Sequence, residues 1–193
     1  MKHLKISSLL VTAALASGLF GASTASATTL TITGERQFQS ITILKSLKSG
    51  SSLIVKDKNG TTNNTCTGST IHGSSVSPYT GAVVRVPAKI TYSGCSHTTQ
   101  VLAGGEISYA WTSGLNGTVS SSGAEITIKS TVFGISAICK TGAGTAIGTL
   151  TGTTSGNATM DLNATTIDCG ALGTSSMTGT YITTVPHALG VTS

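Results

Sequence analysis

Apolar residues recur at every second position along this chain: Leu30 and Ile32 in "TLTIT", Ile41 and Ile43 in "SITIL", Ile107, Tyr109 and Trp111 in "EISYAWT", Ile126 and Ile128 in "EITIK". A period of two places those side chains on one face of a β-strand and scatters them around a helix, so it restricts the chain to sheet. Composition agrees. Ser and Thr make up about a third of the residues and Gly accounts for 24, whereas the long unbranched residues that favour helix are sparse. The 38% of apolar residues are spread evenly and suffice for a core, which sets the chain apart from a disordered polar one. Trp111, alternating with Ile107 and Tyr109, is expected inside that core.

Four further segments, "SLIVK", "AVVRV", "STVFGISAI" and "TYITTV", are mixed or continuous apolar runs, as expected at the centre of a sandwich or where a strand changes sheet. "KNG" at 58–60 and "LNG" at 115–117 are hairpin signals, because Asn and Gly tolerate the positive φ of tight primed turns. Counting segments gives roughly nine to eleven short strands. The expected fold is all-β: an antiparallel β-sandwich, with a β-barrel as the alternative, formed by one domain over residues 28–193.

The first 27 residues read differently. Lys2 and Lys5 precede an apolar run from Leu9 to Phe20, and Ala25 and Ala27 form an A-x-A site, the pattern of a secretory signal peptide cut after Ala27. The run is interrupted by Thr12, Ser17 and Gly18 and is too short to span a bilayer, so no membrane anchor is expected after cleavage. Residues 28–193 then carry nine Lys and Arg against six acids. The basic residues are scattered, with only a loose group between 45 and 58, and neither their number nor their spacing suits nucleic acid.

In an exported chain, four cysteines imply two disulfides, with three possible pairings. Cys66 and Cys95 enclose 28 residues and Cys139 and Cys169 enclose 29. This matched spacing favours Cys66–Cys95 and Cys139–Cys169, and it is compatible with a weak internal duplication. Each loop would stabilise the fold by about 3.6 kcal/mol on a chain-entropy argument.

Residues for catalysis or metal binding do not assemble in the sequence. His72, His97 and His187 each stand alone, and no His or Cys pair has zinc-ligand spacing. "CSH" at 95–97 brings a thiol near an imidazole, but a disulfide would remove the thiolate. Glu35, Asp57, Glu106, Glu125, Asp161 and Asp168 show no pairing, and with 4% aromatics the chain lacks the stacking surfaces of a sugar cleft. "KTGAGTAIG" lacks the Gly-Lys-Ser/Thr ending of a phosphate loop. Asn63, Asn116, Asn157 and Asn163 sit in glycosylation-type triplets and are expected in turns and loops. No catalytic, cofactor or metal residues are therefore assigned.

From 135 to 193 the order is a strand ending in Cys139, a Gly/Thr hairpin, an alternating strand leading to Cys169, then "TGTY" and a final "P-x-x-L-x-V". Together with the Cys66 to Trp111 layout, it resembles the exported bacterial proteins grouped with the protein activator of alkane oxidation. The resemblance implies a small secreted or surface-associated protein without a defined catalytic set. The expected function is non-enzymatic, at the bacterial surface, in the matrix or at a hydrophobic interface, with self-association or cell-surface components as partners. The alternatives are a fibre or pilus subunit assembled by strand addition, with "TTLTITGERQFQSITIL" as donor, and a carbohydrate-binding module. Extracellular or cell-surface residence is expected, with the periplasm as a further option.

Overall fold

The computed structural model describes residues 27–74, 81–129 and 136–193, so residues 1–26 of the expected signal peptide lie outside it. Its centre is a closed antiparallel barrel of eight strand positions. The first position is shared by β3 (Thr42–Leu47) and β4 (Leu53–Lys56), followed by β5 (Thr62–Ser74), β6 (Val84–Cys95), β8 (Glu106–Ser113), β9 (Asn116–Ser122), β12 (Thr145–Thr151), β13 (Thr159–Asp168) and β14 (Thr174–Val185). β3 and β4 behave as one interrupted strand, because both pair with β5 on one side and β14 on the other. Between them residues 48–52 bulge outward, tied by Lys48 N–H to the Thr180 carbonyl at 2.8 Å. The order around the barrel follows the order along the chain, so every pair is a local hairpin or a short excursion, apart from the closure of β14 on β3.

The excursions build the two ends. β7 (Thr98–Ala103), β10 (Glu125–Lys129) and β11 (Ser136–Lys140) pair as a small sheet across what we call the lower mouth. β1 (Thr29–Ile32), β2 (Glu35–Arg36) and β15 (Leu189–Thr192) form a separate sheet roofing the upper mouth. The roof is anchored by Val191 N–H to the Leu115 carbonyl and by the Thr28 hydroxyl, which donates to the Ala82 carbonyl at 2.7 Å.

All-β architecture is thus observed, and of the two expected forms it is the barrel. The alternation works as read: Ile107 and Tyr109 point inward while Ser108 and Ala110 do not, and Met160, Leu162 and Ala164 point inward between outward Asp161 and Asn163. Thr on the outer face suits a strand because its branched Cβ fits extended backbone. Residues 130–135 of "STVFGISAI" lie outside the described residues, and the apolar runs that are described do not mark two-sided burial. A barrel wall has no second layer, so Ile54 and Ile182 stay half-buried and Ile138 is exposed. β1 has no solvated face, since Thr29, Leu30 and Thr31 are all buried beneath or within the roof.

Several expectations need correction. Fifteen strands are present among the described residues, more than the sequence count, because the roof and the interrupted first strand add short pieces. Trp111 is 36% exposed rather than in the core: it lies beyond the last inward layer, where a bulge between Trp111 and Ser113 ends β8, and its indole N–H donates to the Gly114 carbonyl. The "KNG" turn forms as expected, with Gly60 at φ 83° and Asp57 Oδ1 accepting from Asn59 N–H. The second turn falls earlier than "LNG": Ser113 pairs with Asn116, so Gly114, at φ 55°, and Leu115 make the turn. Asn63, Asn116 and Asn163 lie within strands, and only Asn157 is in a loop.

The disulfides are Cys66–Cys95 and Cys139–Cys169. Both staple the lower end. The first bridges register partners on adjacent β5 and β6. The second ties β11 to the residue after β13, its neighbour in the sheet, with β12 in the chain between the two cysteines. Two disulfides fit an extracellular or periplasmic location. Among the described residues no helix is long and apolar enough to cross a membrane.

Candidate functional site in the barrel interior

Eight strands enclose a space that side chains can just fill or that can hold one small ligand. Here the two halves of the interior differ. In the lower half a cavity of about 60 Å3 remains, walled by Ile71, Ile107, Ile147, Leu162, Met177 and Tyr181 from the barrel strands. Ile90 and Tyr92 of β6 line one side; Ala124, Ile126, Cys139, Lys140 and Thr141 close it from the small sheet and its flanks.

Polar groups on this wall are hydroxyls. The Tyr181 hydroxyl and Ser69 Oγ are 2.9 Å apart, and Ser69 Oγ donates to the Thr91 carbonyl at 2.8 Å. Burial pushes the Tyr181 phenol up to about 12, with the Ser69 hydrogen bond opposing. Burial raises the Tyr92 phenol as well, helped by the neighbouring Tyr181. Opposite them, Ser121 Oγ lies 3.1 Å from Thr141 Oγ1, which also accepts the Ala124 N–H. At the rim Lys140 is held by Glu125 at 3.1 Å.

One layer above, towards the roof, the interior is filled and carries a charge-bearing group. Lys45 is fully buried, its Nζ 2.9 Å from Thr183 Oγ1 and 5.6 Å from the centre of the Tyr109 ring. Among the described residues no carboxylate is paired with it. Burial lowers its amine to about 7. A neutral amine suits this site better than an ammonium, because three N–H donors would meet one hydroxyl and a ring face. Lys45 does not line the cavity. Sequence reading placed it in a loose basic group and missed its position, although its parity with Ile43 in "ITILKSL" is the signal that it faces inward.

The residues weighed as catalytic candidates are dispersed. Glu106 pairs with Arg85 at 3.1 Å, Asp161 accepts from Thr180 Oγ1, Asp168 accepts from Gly170 N–H, and Asp57 caps its turn. His187 Nδ1 meets Asn157 Oδ1 at 2.8 Å; His72 is exposed on β5. His97 belongs to a turn organised by Asn64, whose Oδ1 accepts from His97 N–H and Ser96 Oγ. Cys95 is disulfide-bonded, so "CSH" holds no thiolate. Among the described residues no three His, Cys, Asp or Glu side chains gather as a metal site.

No known family, curated protein or solved structure matches the chain.

Proposed function

We propose that this is an exported, non-enzymatic bacterial protein that acts outside the cytoplasm, at the cell surface, in the matrix or at a hydrophobic interface, by holding a small apolar guest in its barrel. Kinship with the exported activators of alkane oxidation is part of the proposal. The observation that carries it is the aliphatic cavity in a closed, doubly stapled barrel, with no carboxylate among the residues that line it. Such a barrel offers a dry site without a nucleophile–base pair beside it. Strand donation by β1 is disfavoured, since β1 is paired on both edges, by β15 and β2, and a donor role would require the roof to melt.

Xenon tests the central claim, because it enters apolar cavities and ignores polar chemistry. Dissolved xenon should shift the methyl resonances of Ile71, Ile107 and Ile147 saturably and leave Val191 in the roof unmoved. Alanine at His72, His97, His187, Glu106, Asp161 or Asp168 should leave the biological phenotype intact at matched secreted levels. A replacement that abolishes it in folded, exported protein would overturn the non-enzymatic reading.

A further inference from the structure

Resting on that reading, we infer that the lower cavity takes an uncharged, slender aliphatic molecule bearing a hydroxyl, of the class of short unbranched alcohols. Size limits the guest first. At the roughly 30 Å3 that a water molecule takes up in the liquid, a cavity of about 60 Å3 encloses about two to three non-hydrogen atoms. A benzene ring occupies an engineered cavity of about 150 Å3, so a flat ring is too large here unless the lower sheet moves. A chain longer than the enclosed space leaves its remainder at the mouth formed by Ala124, Lys140 and Thr141.

Charge limits it next. A buried carboxylate needs a cation or several donors. Lys140 is engaged by Glu125 at the rim, and Lys45 is outside the cavity wall. The remaining polar positions are the Ser121–Thr141 hydroxyl pair and the hydroxyls of Tyr181 and Tyr92. Ser121 is the sharper of these. Its side chain is buried, and its Oγ meets Thr141 Oγ1 alone, leaving capacity for one more neutral hydrogen bond. A guest hydroxyl satisfies that capacity, and an alkyl chain meets Ile107, Ile147 and Leu162.

The test is a titration of the full secreted protein with 1-alkanols of one to eight carbons and with the matching alkanoates at pH 7, read by isoleucine methyl shifts. Alkanol affinity should rise about fourfold per methylene until the enclosed space is filled, then level off. Alkanoates of equal length should bind at least about a hundredfold more weakly. Ser121→Ala should weaken alkanols about two- to tenfold and leave xenon unaffected. Ile147→Phe should block both, with Ala164→Val as a milder occlusion if the first variant fails to fold. Saturable xenon shifts without alkanol binding, or alkanoates that equal alkanols, overturn this inference and leave the guest-holding barrel standing. If neither xenon nor any alkanol shifts the methyls, both readings fall.

Discussion

The two halves of the barrel interior are built from the same alternating strands and solve the problem of filling a closed sheet in opposite ways. Above, Tyr109, Val119, Leu150 and Met160 are each at most 1% exposed, and the remaining room holds the Lys45 side chain. Below, β13 offers Leu162 and then only Ala164 where Met160 stood above, and the mouth is crossed by β11, β10 and β7, which continue the sheet from β13, instead of by barrel side chains alone. One half is dense and contains an ionisable group; the other is apolar and incompletely filled. Packing density and polarity are therefore local choices of side chain on a common scaffold, each testable alone.

The strongest way to break the contrast is to remove the buried amine from the dense half. In the unfolded chain the lysine amine titrates near its ordinary value of 10.5, and in the barrel at about 7, so the unfolded state holds more protons between those values. Stability then rises with pH through that window, by about 3 kcal/mol from pH 7 to 9.5, and is flat below the folded value. Lys45→Met should abolish the slope and gain up to about 4 kcal/mol at pH 7. Urea unfolding of both proteins at three pH values decides it; parallel pH profiles would show that the amine is already solvated.

Next in size is the staple of the loose half. Replacing Cys139 and Cys169 together by Ser should cost about 3.6 kcal/mol in thermal or urea unfolding. It should also weaken guest binding, since Cys139 is part of the cavity wall. Unchanged binding would separate the staple from the site. Bulk can then be exchanged between halves. Met160→Ala should cost about 3 kcal/mol, because it opens a void in packed surroundings. Ala164→Val, adding bulk beside existing space, should be neutral or gain up to about 1 kcal/mol. A large loss for Ala164→Val would mean that the lower half is as tightly packed as the upper. The smallest effect is expected outside both halves: Trp111→Ala, at an exposed strand end, should cost about 1 kcal/mol or less.

What was legible in the sequence was local. Alternation identified the inward faces of β8 and β10, Gly60 fixed a turn, and the cysteine spacing gave both bridges. Sandwich and barrel share that alternation; they differ in whether β14 closes on β3, a contact between Lys45 and Thr183 that spans 138 residues and leaves no local trace. Trp111 shows the limit of parity, which says which face a residue takes but not where the barrel ends along it. Lys45 shows the converse: its parity was correct, and its charge argued for solvent. The cavity was invisible because it is a volume difference summed over several distant strands, with the hydroxyls of Ser121 and Tyr181 brought to it from opposite walls.

The roof bears on how the molecule is made. Its central pairing joins Thr29–Ile32 to residues 189–192, so the earliest strand waits for the latest one before the upper mouth can shut. A chain that folds from its N-terminus would assemble its hairpins in order while that mouth stood open to water. Lys45 would remain hydrated and protonated through this stage. Sealing the roof would strip its water last, making the final act of folding the release of a proton from the barrel's interior.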